Sequence, residues 1–251
     1  MFFTNLFQSN LKSQFIIKKT EYYPATESTM SDLWELINED NSHVLVITDN
    51  QKNGKGRLNN KWHSKPGCSL TCSFSLNKVF LNEQFNLHAI LIPVAIIRAI
   101  KKLLNLEIKV KWPNDLFYEN KKVGGILIES KNNQQVLNIG IGLNVNEDNN
   151  DFPNEIKNKT TSLKIIKGHP IQREPLLAFI INEIEQKIKS LDSKKLINIW
   201  QENCIHINEN ICFKYQNKMI SGIFKKINLK GQAVIEYENK HITYDGPIDF
   251  I

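Results

Sequence analysis

The sequence predicts an α+β fold in which a larger mixed domain is followed by a small β-barrel. Up to about residue 204, segments with the apolar spacing of buried helices alternate with short apolar runs of strand length. From residue 205 onward, short strands follow one another at tight turns, for example at residues 228–231, as is typical of small β-barrels. We therefore expect two domains, at residues 1–204 and 205–251.

The first half of the chain alternates helical and extended patterns. Ser28 and Thr29 are typical of a helix start, and residues 44–48 form a continuous apolar run of strand length. Cys68 and Cys72 alternate with serines and threonines, so we expect a strand with both cysteines in the core. In chain order, we expect a helix at 31–38, a strand at 44–48, a polar loop at 50–64, a strand at 68–76 and a helix at 87–105.

The second half begins with a strand at residues 108–112, in which apolar residues alternate with lysines. Two further strands, at 116–118 and 123–130, bracket a hairpin turn at 119–121. The remaining expected elements are a strand at 136–145, a loop at 147–159, helices at 173–191 and 194–203, and C-terminal strands at 211–215, 219–228, 232–237 and 241–244. No segment has the pattern of a helix-turn-helix reading head.

Composition excludes several classes of protein. The net charge of +6 suits an anionic ligand such as a nucleotide, an acidic partner protein, or nucleic acid. The longest apolar run, residues 89–97, contains Pro93 and is too short to cross a bilayer. The first residues lack the basic start and apolar run of a secretory signal, so we expect a cytoplasmic protein. The spacing of the four cysteines matches no common zinc pattern, and we expect neither a structural zinc nor a disulfide.

A glycine-rich basic segment, residues 51–57, is the first candidate for chemistry. Gly54 and Gly56 allow backbone amides to approach an anion closely, while Lys55 and Arg57 add positive charge. The segment is not a P-loop, because no Gly-Lys-Ser/Thr follows and no helix opens after it. Taken alone, it is equally consistent with a solvent-exposed basic loop.

The second candidate consists of a Lys-Trp-Pro-Asn-Asp run at residues 111–115 and a Lys-Val-Gly-Gly sequence at residues 122–125, where the next strand begins. A basic strand runs into a turn that presents Asp115, whose oxygen atoms are suited to position Mg²⁺. Glycine within a strand often marks close approach of a ligand to the backbone. The candidate residues are Lys111, Asn114, Asp115, Lys122, Gly124 and Gly125. An ordinary hairpin with a solvent-exposed lysine is the alternative.

The third candidate is a buried strand with two glycines that ends in asparagines, at residues 140–146. No helix follows it directly, which argues against a dinucleotide-binding motif. Asn144, at the end of the strand, is suited to contact a phosphate or a metal-bound water. Taken alone, this segment favours a structural role.

Taken together and in this order, these segments resemble the biotin–protein ligase family. The matching pieces are Ser28-Thr29, residues 54–57 with Lys61-Trp62, residues 111–115, residues 122–126 and residues 140–144. The resemblance implies a catalytic domain related to class II aminoacyl-tRNA synthetases and lipoate ligases, followed by an SH3-like domain. It also implies an activity, in which biotin and ATP form biotinyl-5′-AMP and biotin passes to a lysine of a biotin carboxyl carrier protein.

The resemblance assigns roles to individual positions. Those that match the biotin pocket and the loop over the adenylate are Ser28, Thr29, Gln51, Gly54, Lys55, Gly56 and Arg57. Lys122 matches the catalytic lysine near the biotin carboxylate and the α-phosphate, with Arg57 as a second catalytic cation. Positions that match the surroundings of the nucleotide and its Mg²⁺ are Asn114, Asp115 and Asn144, and Lys111, Gly124 and Gly125 complete the expected substrate-binding set.

The chain departs from the family pattern in places. Met30 stands where many members have asparagine, and Lys55 replaces a frequent arginine and loses its bidentate geometry. Only 27 residues precede Ser28, too few for the winged-helix domain of larger members, so we expect no DNA binding. The expected partners are biotin, ATP and a carrier domain, with no membrane, and a homodimer stays open. The alternatives are a lipoate–protein ligase, a nucleic-acid-binding regulator that retains the fold, and a peptide-binding role for the β-barrel.

Overall fold

A seven-stranded sheet forms the centre of the larger part of the chain. A computed structural model describes residues 1–38, 42–81, 87–131 and 135–250. The strands are β1 (Lys19–Tyr23), β2 (Val44–Thr48), β3 (Gly54–Lys55), β4 (Lys61–Trp62), β5 (Leu70–Asn77), β6 (Lys109–Lys111), β7 (Asp115–Tyr118), β8 (Lys121–Ser130) and β9 (Val136–Leu143). The sheet order is β1-β2-β5-β9-β8-β7-β6; β1 and β2 run parallel and the other neighbours antiparallel. Strands β3 and β4 form a separate hairpin.

Helices cover both faces of this sheet. They are α1 (Thr4–Asn10), α2 (Thr29–Leu36), α3 (Leu87–Leu104), α4 (Asn154–Lys157), α5 (Leu163–Lys167), α6 (Arg173–Lys189) and α7 (Ser193–Glu202). Helix α3 packs against α6 and α7, whereas α2 packs against β2, β5 and β9. None of the helices in the described ranges is both long enough and apolar enough to cross a membrane.

The alternation of β2 separates the two helical layers. Leu45 and Ile47 belong to the main core, which includes α3, whereas Val44 and Val46 pack with Leu33 of α2. Because successive side chains of a strand point to opposite faces, α2 and α3 lie on opposite sides of the sheet.

Strand β5 is buried on both faces, because α2 covers its serine and threonine side. Cys72 lies in the core as predicted, and burial raises the pKa of its thiol to about 12. The prediction for Cys68 is wrong: it precedes the strand, which begins at Leu70, and is partly exposed. Among the described residues, all four cysteines are free thiols.

The long elements agree with the sequence predictions, and the differences concern short ones. The loop expected at 50–64 contains the β3–β4 hairpin, and the loop expected at 147–159 contains α4. Helices α1 and α5 and strand β1 were not predicted. Elements of two to seven residues hold at most two turns of helix or a few strand positions, too few to establish a hydrophobic period.

A second sheet follows residue 204. Its strands are β10 (Asn210–Tyr215), β11 (Lys218–Ile227), β12 (Ala233–Tyr237), β13 (Lys240–Tyr244) and β14 (Ile248–Phe250). The order is β13-β12-β11-β10-β14, and all neighbours are antiparallel. The predicted C-terminal β unit is therefore present, with β14 as an additional strand. It packs on the larger part where Trp112 meets Trp200 and Phe224, at ring-centroid distances of 5.8 and 6.1 Å.

Candidate functional site

A cavity of about 390 Å³ lies between the β3–β4 hairpin and strands β5, β8 and β9. Its wall also includes the start of α2, the turn at residues 112–115 and residues 247–248 of the second sheet. The predicted site residues that line it are Thr29, Gln51, Lys55, Gly56, Arg57, Lys111, Asn114, Asp115, Lys122 and Gly125. The fold thus brings together three sequence segments that are far apart along the chain.

One end of the cavity carries a buried cluster of neutral polar groups. Gln51 follows strand β2, and its Oε1 accepts hydrogen bonds from the backbone N–H and the hydroxyl of Thr29, at 2.9 and 3.1 Å. The Thr29 hydroxyl also lies 2.7 Å from Ser73 Oγ on β5. These side chains hold one another in place, so they present donors and acceptors with fixed directions to a small polar ligand.

Another part of the cavity wall is charged and lies at the β7–β8 hairpin. Lys122 Nζ pairs with Asp115 Oδ1 at 2.8 Å, across a register shift between Leu116 and Phe117. Gly125 stands opposite Asp115, and a Cβ there would lie 3.2 Å from Oδ1 and 3.5 Å from Lys122 Nζ. The absence of a side chain at residue 125 therefore leaves room beside both charged groups.

Arg57 reaches this charged group from the β3–β4 hairpin. Its Nη1 donates to Asn114 Oδ1 at 3.3 Å, while the Asn114 amide donates to the carbonyl of Ile126. Burial lowers the pKa of Arg57, and the nearby Asp115 opposes that shift. An arginine remains charged at neutral pH even so, which leaves a half-buried cation beside Lys122. Lys55 points elsewhere, and its Nζ donates to Ser31 Oγ at 3.0 Å.

The two glycines of β9 are explained by the side chains that lie over them. A Cβ at Gly142 would lie 2.4 Å from the Trp62 ring, and a Cβ at Gly140 would lie 2.7 Å from Met30 Sδ. Trp62 and Met30 both line the cavity, although they were not among the predicted site residues. The Gly-x-Gly spacing was the signal for them, since it puts two bare positions on one face of a strand.

The second sheet contributes Pro247 and Ile248 to the cavity wall. The indole N–H of Trp112 donates to the carbonyl of Gly246 at 3.1 Å, which holds this turn against the 112–115 turn. No feature of the sequence pointed to these residues. Their position depends on how the two sheets pack together.

Four predicted site residues lie beside the cavity without lining it: Ser28, Gly54, Gly124 and Asn144. Ser28 is the N-cap of α2 and is buried. A Cβ at Gly54 would meet the Trp62 carbonyl, and one at Gly124 would meet the Gly142 carbonyl, so both glycines permit close backbone packing.

Asn144 is also buried, and its amide donates to the carbonyl of Thr161 at 3.1 Å. In this structure it ties the segment after α4 to the end of β9. A ligand contact by Asn144 stays a prediction.

Acidic groups are scarce at the site. Asp115 is the one carboxylate among the lining residues, and the described residues contain no group of three or more histidine, cysteine, aspartate or glutamate side chains that would hold a metal.

Comparison with known proteins agrees with this arrangement. Residues 22–146 match the profile of the Biotin/lipoate A/B protein ligase family. The chain belongs to this family. It is 28% identical to the bifunctional ligase/repressor BirA of Bacillus subtilis over 233 residues, which are 90% of this chain and 72% of that protein. It is 26% identical to BirA of Escherichia coli over 223 residues, 86% of this chain and 68% of that protein.

The ligase family also matches in three dimensions. The biotin protein ligase of Aquifex aeolicus, solved in complex with biotin and ATP, superposes with a TM-score of 0.82 at 26% identity. The match covers 94% of this chain and all of that one. The predicted α+β fold with a C-terminal β unit is confirmed, and the predicted resemblance to biotin–protein ligases with it. The family's motif residues, Lys122 and Arg57 among them, meet at one cavity.

Proposed function

We propose that this protein is an ATP-dependent biotin–protein ligase, which forms biotinyl-5′-AMP and transfers biotin to a lysine of a carrier domain. The observation that carries the proposal is a single cavity with two kinds of wall. Neutral, mutually bonded side chains lie in one part, and Arg57, Lys122 and Asp115 lie in another. Such a cavity suits an acid with a polar ring system at one end and a carboxylate at the other.

Biotin lies with its ring urea at the polar cluster. Thr29, Gln51 and Ser73 supply the hydroxyl and amide groups that a urea requires, because a urea both donates and accepts hydrogen bonds. The aromatic ring of Trp62 covers the apolar part of the acid. The valeryl carboxylate then points toward Lys122.

In the first step, a biotin carboxylate oxygen attacks the α-phosphorus of ATP. The new oxygen–phosphorus bond forms as the bond to the β-phosphate oxygen breaks, and pyrophosphate leaves with the electron pair. Two anions must approach each other, so Lys122 and Arg57 stabilise the charge that accumulates between them. The remaining catalysis is positioning, as in other phosphoryl transfers.

Mg²⁺ is the expected companion of ATP. The wall of the cavity fits it through Asp115, because Mg²⁺ in nucleotide sites commonly takes one or two carboxylates, phosphate oxygens and water. When bound, the ion neutralises phosphate charge. The Lys122–Asp115 pair keeps the lysine and the metal-binding carboxylate adjacent.

The β3–β4 hairpin protects the intermediate. Biotinyl-5′-AMP is a mixed anhydride that water destroys, and the hairpin brings Lys55, Gly56 and Arg57 to the cavity wall. Its tip at Leu58 has a φ of 53° and is 72% exposed. We assign this hairpin as the cover of the adenylate.

In the second step, a neutral lysine amine of a carrier domain attacks the acyl carbon. The new C–N bond forms, the bond to the phosphate oxygen breaks, and AMP leaves. The amine must also lose a proton, and Asp115 is our candidate acceptor, since it is the one carboxylate among the lining residues.

The carrier approaches along β8. Beyond Gly125 this strand pairs with β9 on one side. On the other side, β7 begins at Asp115, opposite Gly125, so residues 127–130 have no strand beside them among the described residues. A second cavity of about 500 Å³ adjoins this edge and shares Arg57 and Asn114 with the first. An open edge accepts a strand from a carrier, or from a second copy in a homodimer.

We assign residues 1–204 to a catalytic domain and 205–251 to a C-terminal domain. The change of sheet after residue 204 supports this division, because residues 203–205 still pair with Val110 of β6 and the next sheet begins at Asn210. The second domain completes the cavity through Pro247 and Ile248.

Incubation with biotin, ATP, Mg²⁺ and a biotin carboxyl carrier domain tests the function. The intact mass of the carrier is expected to increase by one biotinyl group, and only when ATP is present. Lipoic acid in place of biotin is the control for substrate class. No mass gain with biotin, or an equal gain with lipoic acid, would contradict the proposal.

A further inference from the structure

Met30 and Gly140 meet at the wall of the cavity. Met30 lies in the first turn of α2, Gly140 lies in β9, and both line the cavity. A Cβ at residue 140 would lie 2.7 Å from Met30 Sδ and 3.3 Å from its Cγ. The thioether therefore occupies the space that the missing side chain leaves.

The pair borders the neutral polar cluster. Ser73 stands directly opposite Gly140 in the β5–β9 ladder, and Ser73 Oγ lies 2.7 Å from the Thr29 hydroxyl. A Cβ at Gly140 would lie 2.7 Å from Met30 Sδ and 3.6 Å from Ser73 Oγ, so the thioether lies close to the groups that we assign to the ring urea.

The backbone of Met30 is held in place, and its side chain is almost fully buried. The buried amide of Asn138 donates to the Met30 carbonyl at 2.8 Å, which fixes this turn of α2 over β9. Met30 is 3% exposed, and the open space beside it is the cavity.

We propose that Met30 is a specificity-determining residue. Its thioether packs against Gly140 and limits the size of the ring system that the cavity accepts. This inference rests on the proposed ligase function. The accepted acids have a cyclic urea with free N–H groups, and a substituent on the urea nitrogen is excluded by the thioether.

The substitution Gly140→Ala tests the contact between Met30 and residue 140. The new Cβ displaces Met30 into the cavity, because the other atom near it, Ser73 Oγ, lies at an ordinary contact distance of 3.6 Å. We expect the KM for biotin in ATP–pyrophosphate exchange to rise at least about tenfold, with kcat within about threefold of wild type.

The double variant Met30→Ala/Gly140→Ala shows whether displacement of Met30, and no other effect of the new Cβ, raises the KM. Removal of the thioether leaves nothing for the new Cβ to displace, so the KM for biotin is expected to fall back toward that of Met30→Ala alone. Gly142→Ala is the matched control, since its Cβ meets Trp62 instead, and Met30→Ala should not rescue it.

Met30→Ala alone provides a second measurement that does not depend on the stability of the glycine variants. The probe is biotin with one methyl group on a urea nitrogen. The ratio of its KM to the KM of biotin is expected to fall at least about fivefold relative to wild type, because the thioether no longer occupies the space that the methyl group needs.

The outcomes distinguish the inference from the function. If the wild-type protein catalyses ATP–pyrophosphate exchange with neither biotin nor N-methylated biotin, the proposed function itself is contradicted. An active wild type, together with an unchanged ratio in Met30→Ala, overturns the role of Met30. Failure of the double variant to recover, in a folded protein, overturns it as well.

Discussion

Lys122 is constrained on both its side chain and its backbone. Its N–H donates to the carbonyl of Lys159 at 2.8 Å, and its own carbonyl accepts from Thr161 N–H at 2.9 Å. Together with the Asp115 ion pair, these contacts fix where the ammonium group lies before any substrate arrives. A cation already in position needs little reorganisation when charge builds up on the phosphate.

Substitution of this residue gives the prediction at the residue scale. Lys122→Gln is expected to lower the rate of ATP–pyrophosphate exchange about 10²- to 10³-fold, by analogy with the loss of one donor from an oxyanion hole. The protein should remain folded, because the ion pair is partly exposed and contributes little to stability.

Lys121→Gln is the matched control. Lys121 precedes Lys122 in β8 but is exposed and does not line the cavity, so this variant should keep wild-type exchange. Exchange by Lys122→Gln at the rate of the control would contradict the catalytic assignment.

Asn144 illustrates how far a residue type alone can be interpreted. Its place at the end of a buried glycine-containing strand predicts a contact with a phosphate or a metal-bound water, and that contact stays a prediction. In the structure the Asn144 amide donates to the Thr161 carbonyl. Sequence spacing predicts that an amide lies at a strand end. It does not predict which neighbouring segment the amide reaches.

At the scale of elements, one carboxylate holds the segment before β1 against helix α6. Glu185 accepts hydrogen bonds from Ser13 Oγ at 2.5 Å and from Gln14 N–H at 2.9 Å. Phe15 N–H and the Lys189 ammonium add contacts at 3.1 and 2.8 Å. Burial raises the pKa of Glu185, but these donors outweigh it and lower the pKa to about 2.

Stability is therefore expected to depend on pH through Glu185. Its folded pKa of about 2 lies below the ordinary value of 4.5, so the stabilisation is present above pH 4.5 and is lost as the pH falls toward 2. Glu185→Gln should lower the free energy of unfolding by about 1.5–3 kcal/mol at pH 7, the range for a hydrogen bond to a charged group. Urea unfolding between pH 3 and pH 7 measures both effects.

The matched control for this prediction is Glu155→Gln in α4, where the side chain is exposed. That variant should follow the wild-type dependence of stability on pH. The assignment would be wrong if Glu185→Gln retained the wild-type loss of stability below pH 4.5.

The β3–β4 hairpin is the element that sequence patterns described least well. Each strand has two residues, and the turn is closed by Gly56 N–H donating to the Asn60 carbonyl at 2.8 Å. Polar composition predicted a loop here, whereas the structure shows that the segment contains a short hairpin and lines the cavity. Its strand pairing depends on Trp62, which anchors the hairpin over Gly142.

At the scale of the whole molecule, the cavity depends on both sheets. Trp112 joins them, since its ring packs against Trp200 and Phe224 and its N–H donates to Gly246. The turn that carries Pro247 and Ile248 is thereby held at the cavity wall. We expect the second sheet to influence substrate binding through this contact.

Trp112→Phe removes the hydrogen bond and keeps most of the apolar packing. One such bond contributes about 0.5–1.5 kcal/mol net. If the free energy of this hydrogen bond is lost from substrate binding, the KM for biotin or ATP in pyrophosphate exchange should rise about 2- to 10-fold, with a smaller change in kcat.

Trp34→Phe is the matched control for Trp112→Phe. It also removes an indole hydrogen bond, to Glu129 at 3.0 Å, but Trp34 does not line the cavity. Equal KM values for Trp112→Phe and wild type would show that the second sheet does not need this bond to shape the site.

The sequence by itself determined the long elements and the chemistry-bearing segments. The strands at 123–130 and 136–145 and the helices near 87–105 and 173–191 carry enough residues for a hydrophobic period to be visible. The strand at 44–48 was recognised from its continuous apolar run instead. The motif segments also identified the family, because their residue types and order are constrained by one reaction.

Only the tertiary structure decided which residues share the cavity. The residues that line it include Met30, Trp62, Ser73 and the adjacent pair Pro247 and Ile248, which come from four separate parts of the fold. Their meeting depends on the order of strands in the sheet and on the packing of the second sheet against Trp112. Local patterns report which face of an element is buried, whereas contacts between distant segments follow from how the buried faces fit together.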